Sequence, residues 1–172
     1  MNDRSRRKKQ AAEKKGEKLK IKDFLLDDTS VIPDLNGRDK ETVLKEMVEC
    51  VVSHHPSLNP QELFQVLMER EKISSTAIGE GIAIPHGKIS AIKQVYGIFA
   101  RSLQGVDFNS LDGQPTYLFF VLVAPENSAG DHLKALARIS RLLKDSGFRA
   151  KLMKGKTGKE IFNTIREEDE RV

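Results

Sequence analysis

The chain has 172 residues with a single cysteine, 38% hydrophobic and 31% charged residues and a formal net charge of +4. That is long enough for one domain with a real core, and one cysteine excludes an internal disulfide framework. There is no long apolar run for a transmembrane helix, and the N-terminus lacks the apolar centre of a signal peptide, so a cytoplasmic location is expected.

The charge is unevenly distributed. Residues 1–20 carry nine Lys/Arg against three Asp/Glu, or +6, which leaves −2 for the rest of the +4 chain. The division expected is a basic, flexible tail over 1–20 and one domain over 21–172. Such a tail suits nucleic acid, an acidic protein surface or anionic lipid. A solubilising extension or a weak solvated helix is the preferred reading, and the tail holds no aromatic residue for stacking on bases.

After the tail, Val31-Ile32-Pro33 reads as a short strand. Val43, Leu44, Met47, Val48, Val51 and Val52 recur at helical spacing, predicting a helix from about Asp39 to before Pro56. Cys50 lies within this pattern and reads as a buried, inert thiol. His54 and His55 fall at the helix end, where an imidazolium favours the dipole. A second helix is signalled by Asn59 as N-cap, Pro60 in the first turn and Glu62 at the capping-box position, running to about Arg70. Ile73 to His86 reads as a loop leading into a short strand. Residues 95–100 and 116–123 are strand-like. The second is apolar throughout and therefore central, with a turn at Asp112-Gly113 between them. A third helix is predicted from Ser128 to a stop at Gly147. A last helix starts at Thr157 with Glu160 as its capping partner. Helices on both faces of a mixed sheet follow: an α/β fold.

The most informative stretch is Gly79-Glu80-Gly81-Ile82-Ala83-Ile84-Pro85-His86-Gly87-Lys88. Proline fixes the chain before His86 and pushes Ile84 toward an extended conformation, while Gly87 removes bulk beside the ring. This presents an aimed imidazole at the end of a strand. A metal site needs several convergent ligands, and four scattered histidines without a cysteine pair do not supply a motif. No Gly-x-Ser-x-Gly elbow, Walker sequence or dinucleotide fingerprint occurs, so neither a metal nor a cofactor is expected. What remains is His86 as a nucleophile that captures a phosphoryl group. Arg70, Ser75, Thr76, the amides of Gly79 and Gly81, and Lys88 are the local candidates to bind phosphoryl oxygens. Arg70 serves equally well as a cation at its helix end. His132, in the first turn of the third helix, could support His86 or its phosphoryl group, or be no more than a histidine on a helix end.

The segment Glu71 to Gly87 resembles the active-site signature of the type 2 EIIA domains of the bacterial phosphotransferase system (PTS), the fructose/mannitol group. An acidic residue is followed by Ile78-Gly79 and then Ile82-Ala83-Ile84-Pro85-His86-Gly87. The longer run with Arg70, Ser75-Thr76 and Lys88 is most similar to the nitrogen-regulatory EIIA subgroup, as are Phe108, Asp112-Gly113-Gln114-Pro115 and Asp131-His132-Leu133-Lys134. Ser74 and Ala77 stand where that subgroup commonly has glycines. The resemblance implies an α/β/α sandwich on a mixed sheet and a phosphotransferase component with a phosphohistidine intermediate, not a stand-alone turnover enzyme. It implies His86 as the phosphorylated residue, with Arg70 and His132 in support. It further implies an HPr- or NPr-like phosphocarrier as donor, and either an EIIB domain or regulated proteins such as potassium-transport sensors downstream. No EIIB or EIIC segment lies within these 172 residues, which favours regulation over sugar transport. A reading of another class keeps the fold as a docking module working with the basic tail.

Overall fold

The computed structural model describes residues 19–172. The basic segment expected at 1–20 falls outside the described residues, except for Leu19 and Lys20. Lys20 N donates to Asp23 Oδ2 at 2.8 Å at the start of a short 3-10 turn, Ile21–Asp23. A second such turn, Asp28–Ser30, leads into β1 (Val31–Ile32).

Two helices follow, α1 (Lys40–His54) and α2 (Pro60–Ile73). Each begins where a side chain accepts an otherwise unpaired amide: Asp39 Oδ1 from Thr42 N at 2.9 Å, Asn59 Oδ1 from Glu62 N at 3.0 Å. These bonds are the physical content of the N-cap signals in the sequence. The segment read as a loop leading into one short strand holds three, β2 (Ala77–Gly79), β3 (Ile82–Ala83) and β4 (His86–Lys88). Each is too short to show a periodicity. Then come β5 (Tyr96–Val106) and β6 (Thr116–Ala124). β5 runs beyond the expected Ala100 because its next residues, Arg101 and Ser102, are buried although polar.

The third helix, α3 (Ala129–Leu143), stops before Gly147, and a separate helix, α4 (Ser146–Lys154), takes up that glycine in its first turn. Asp145 Oδ1 accepts Phe148 N at 2.9 Å, so a new N-cap starts a helix where the sequence reading has only a stop. Arg149 Nη1 donates to Leu143 O at 2.7 Å and Lys144 O at 2.9 Å, covering the end of α3. The last helix, α5 (Gly158–Arg171), starts as predicted, with Thr157 Oγ1 accepting Glu160 N at 3.2 Å.

The six strands form one mixed sheet, in the order β1-β5-β6-β3-β2, with β4 also paired to β6. β5 and β6 are antiparallel, and β1 runs parallel to β5. β3 and β4 both run parallel to β6 in a single register, Ile82 opposite Leu118 and His86 opposite Leu122. They are one strand interrupted at Ile84-Pro85, where proline has no amide to give to the ladder. Pro85 O still accepts Leu122 N at 2.9 Å, so the chain stays aligned through the break. One core lies between the sheet and α1/α2, with Val43, Met47, Leu63 and Phe119. The other lies between the sheet and α3, α4 and α5, with Ile84, Phe120, Ile139 and Ile161. This is the three-layer α/β/α sandwich anticipated above. No helix among the described residues is long and apolar enough to cross a membrane.

Candidate functional site

His86 is the first residue of β4, beside β6 on the side of the sheet that faces α3. Its neighbour Gly87 points to the opposite layer, where an added Cβ would stand 2.5 Å from Val66 Cγ1 of α2. Strand alternation therefore separates two tasks: His86 enters the site, and Gly87 lets α2 close on β4.

The ring is fixed by a short bond. His86 Nδ1 lies 2.7 Å from Ile84 O. A carbonyl can only accept, so Nδ1 carries the proton and Nε2 keeps its lone pair. Burial lowers the pKa of the imidazole below its usual 6.5, and the Arg70 guanidinium depresses it further. The Ile84 carbonyl and the Glu71 carboxylate work in the other direction. The net depression favours a neutral imidazole with Nε2 unprotonated, a nucleophile, at neutral pH.

His132 comes from the first turn of α3, and its ring meets that of His86 edge to face, centroids 5.5 Å apart. It is only 8% exposed, and its Nε2 has no hydrogen-bond partner among the described residues. Its pKa is pushed down to about 4, first by burial and then by His86 and Lys88. A buried ring nitrogen without a partner costs on the order of 1–3 kcal/mol, so its presence beside a bare nucleophilic nitrogen indicates a place for a ligand.

Arg70 lies in the last turn of α2, where Nη1 donates to Ser74 O at 2.9 Å. It therefore acts at its helix end and also exerts its charge on His86. Lys88 lies two residues along β4 from His86, on the same face, and its charge is felt at His132.

The other expected phosphate ligands are placed differently. Ser75 Oγ donates to Phe108 O at 2.9 Å and accepts from Ala77 N at 3.2 Å. The Thr76 hydroxyl donates to Glu71. Both hydroxyls are engaged in holding the loop. Gly79 and Gly81, with φ of +111° and +75°, form the turn between β2 and β3. Five residues of extended chain put Gly81 roughly 16 Å from His86 along the strand direction. Gly81 O there accepts Tyr117 N and Leu118 N, each at 2.9 Å. That turn starts the parallel ladder; it does not sit at the imidazole.

One residue gained a place that composition did not give it. Glu71 is buried on α2, in line with Leu63 and Leu67 at four-residue intervals. An acid continuing an apolar stripe was the available signal. It pairs with Lys40 Nζ of α1 at 2.9 Å, and Lys40 lies 4.8 Å from the centre of the Phe108 ring.

His54 and His55 do close α1, one through a hydrogen bond and one through ring packing. His54 Nδ1 meets Cys50 O at 2.9 Å, and His55 packs edge to face on Tyr96. Burial, then the charge of His54, lowers the His55 pKa. The Cys50 thiol is pushed up to about 11 by burial, in keeping with an inert side chain. No group of three His, Cys, Asp or Glu that could hold a metal occurs among the described residues.

Comparison with known proteins agrees with the fold. The family described as "Phosphoenolpyruvate-dependent sugar phosphotransferase system, EIIA 2" matches residues 24–168. A nitrogen regulatory protein of Bradyrhizobium diazoefficiens is 40% identical over 136 residues, 79% of this chain and 88% of that protein. The fructose-specific EIIABC component of Bacillus subtilis is 38% identical over 152 residues, 88% of this chain but 24% of that longer protein. Among solved structures, nitrogen regulatory protein IIA-Ntr from Neisseria meningitidis superposes with a TM-score of 0.75 at 31% identity, covering 80% of this chain and 94% of that one.

Proposed function

We propose, from the premise that this chain belongs to the EIIA type 2 family of the phosphoenolpyruvate-dependent sugar phosphotransferase system, that His86 Nε2 accepts and returns a phosphoryl group. The observation that carries this reading is the pair of rings: one with a bare nitrogen fixed by Ile84 O, the other with a buried nitrogen lacking a partner. The donor would be a phosphohistidine on an HPr- or NPr-like carrier. The His86 Nε2 lone pair forms the new N–P bond. The donor's N–P bond breaks, and its electron pair returns to the donor ring. No proton need leave, because Nδ1 keeps its own. The step asks for positioning and charge neutralisation, not covalent help from further residues. Arg70 and Lys88 would offset the phosphoryl charge, and His132 Nε2 would hydrogen-bond a phosphoryl oxygen. Ile73, 81% exposed and three residues after Arg70, and Leu133, 68% exposed beside His132, give this surface the apolar character of a protein contact.

The downstream role best supported is regulatory, since several relatives are nitrogen regulatory proteins. A second reading, delivery to an EIIB domain for sugar uptake, is favoured by the 38% identity to the fructose-specific protein. Labelling with phosphoenolpyruvate, enzyme I and HPr should give one acid-labile, base-stable phosphate. Labelling that persists in His86→Ala would sink the assignment. Transfer from the labelled protein to an isolated fructose-type EIIB separates the two roles: efficient transfer favours uptake.

A further inference from the structure

Glu71 is a buried carboxylate, its side chain 2% exposed, that phosphoryl transfer as described does not use. Burying a carboxylate is expensive unless it is paired and hydrogen-bonded, and this one is both. One oxygen takes Lys40 Nζ at 2.9 Å and Thr76 N at 3.1 Å; the other takes the Thr76 hydroxyl. The bonds continue beyond Thr76. Thr76 O accepts Ile84 N at 3.1 Å, and Ile84 O accepts the Nδ1 proton of His86 at 2.7 Å. A continuous chain of hydrogen bonds thus runs from α1, through the end of α2 and the β2–β3 segment, to the reactive ring.

Each link constrains the next. Thr76 is held by both its amide and its hydroxyl, so its carbonyl has little freedom. That carbonyl holds Ile84 N, and Pro85 restricts the backbone on the far side of Ile84. The direction of Ile84 O is thereby set, and it is this oxygen that selects the tautomer of His86. When the Nε2 lone pair goes to phosphorus, the ring retains its Nδ1 proton and becomes positive. The Ile84 carbonyl and the Glu71 carboxylate favour that charge, while the Arg70 guanidinium acts against it.

We infer that Glu71 is a positioning residue for His86: through Thr76 and Ile84 it holds the Nδ1–H tautomer and offsets the ring charge that develops as Nε2 takes the phosphoryl group. This rests on the reading of His86 as the phosphoryl acceptor. Its direction is supported independently by the carboxylate's raising of the His86 pKa.

The test uses the full chain as wild type, Glu71→Gln and Glu71→Ala, in two measurements. Long-range proton–nitrogen spectra across a pH series report the His86 tautomer and its midpoint without any phosphoryl donor. Labelling by phosphoenolpyruvate, enzyme I and HPr reports the rate. Gln keeps an acceptor for Thr76 but loses the charge, so the midpoint should fall while Nδ1–H persists. Ala removes both, so the tautomers should mix and labelling should slow by roughly 10- to 100-fold, as for a displaced reactive group. If Glu71→Ala does not fold, Glu71→Gln alone decides. A tautomer and midpoint that match wild type in the folded variants overturn the inference, even if thermal stability drops, because that is what a purely structural ion pair would show. Wild type that shows the fixed tautomer but takes no label at His86 would instead overturn the reading of phosphoryl transfer, leaving the role of Glu71 in holding the ring intact.

Discussion

Arg101 and His132 are both buried, both carry polar nitrogens, and the fold provides for them in opposite ways. Arg101 on β5 donates through Nε to Pro33 O at 2.8 Å and through Nη1 to Leu152 O at 2.8 Å and Gly155 O at 2.6 Å. Those last carbonyls end α4, where a cation also meets the negative end of the helix. Its burial is fully compensated inside the molecule. His132, 8% exposed, has a ring nitrogen with nothing to bond among the described residues. The first arrangement is what stability requires; the second is what a site for a transient anion requires. Burial alone does not distinguish these two residues, whereas the state of their hydrogen bonds does.

The largest test of this contrast is Arg101→Met. It leaves several buried carbonyls unpaired and should cost about 3 kcal/mol or more of stability, read by urea unfolding. Phosphoryl acceptance per folded molecule should remain near wild type at low temperature. Lost acceptance in a folded Arg101→Met protein would show that the two regions are coupled.

His132→Ala should invert the pattern. Acceptance should fall about 10²-fold, as when a single donor to a developing anion is removed, with a smaller loss of stability than in Arg101→Met, because the truncated ring leaves a cavity but strands no buried carbonyl. The same residue gives a pH signature. Its pKa is about 4 in the fold against an ordinary 6.5, so between those values the unfolded chain binds the extra proton. The contribution of neutral His132 to stability is complete above pH 6.5 and is lost as pH falls toward 4. His132→Gln should remove that part of the acid dependence, and unfolding curves of the two proteins that stay parallel between pH 4 and 6.5 would contradict it. A phosphate on His86 should raise the His132 midpoint, since an adjacent anion favours the imidazolium.

Most of the fold and part of the candidate site were readable in the sequence at the level of single residues, and the limits have physical causes. Asn59, Asp39 and Thr157 disclosed helix starts because a cap is a local bond between residues two or three apart. His86 was disclosed by the proline and glycine around it. The helix α4 was missed because Gly147 reads as a stop, whereas the Asp145 cap starts a new helix that holds this glycine in its first turn. The span of β5 was missed because Arg101 reads as polar, and its compensation comes from Pro33 and from α4, both distant in the chain. Ser75 and Thr76 read naturally as phosphate donors, and only tertiary structure shows their hydroxyls turned to Phe108 and Glu71. Glu71, Arg138 and Asp169 share one signal: a charged residue continuing an apolar helical stripe. Each is buried in an ion pair.

The smallest effect expected is at Gly87, and it tests how the two sides of β4 are kept apart. His86 faces α3, and Gly87 faces Val66 of α2. In Gly87→Ala the new methyl would lie 2.5 Å from Val66 Cγ1, closer than real Cβ contacts allow. Val66 is only half-buried, so its side chain can yield in part, and the cost should be about 1–2 kcal/mol. What does not yield must push β4 away from α2, and His86 moves with β4 because the two are neighbours on one strand. Labelling should therefore slow along with the loss of stability, and Val66→Ala in the same chain should restore both by making room for the methyl. Stability restored without labelling would mean that the glycine serves His86 directly, through access to the ring, and not through the spacing of α2.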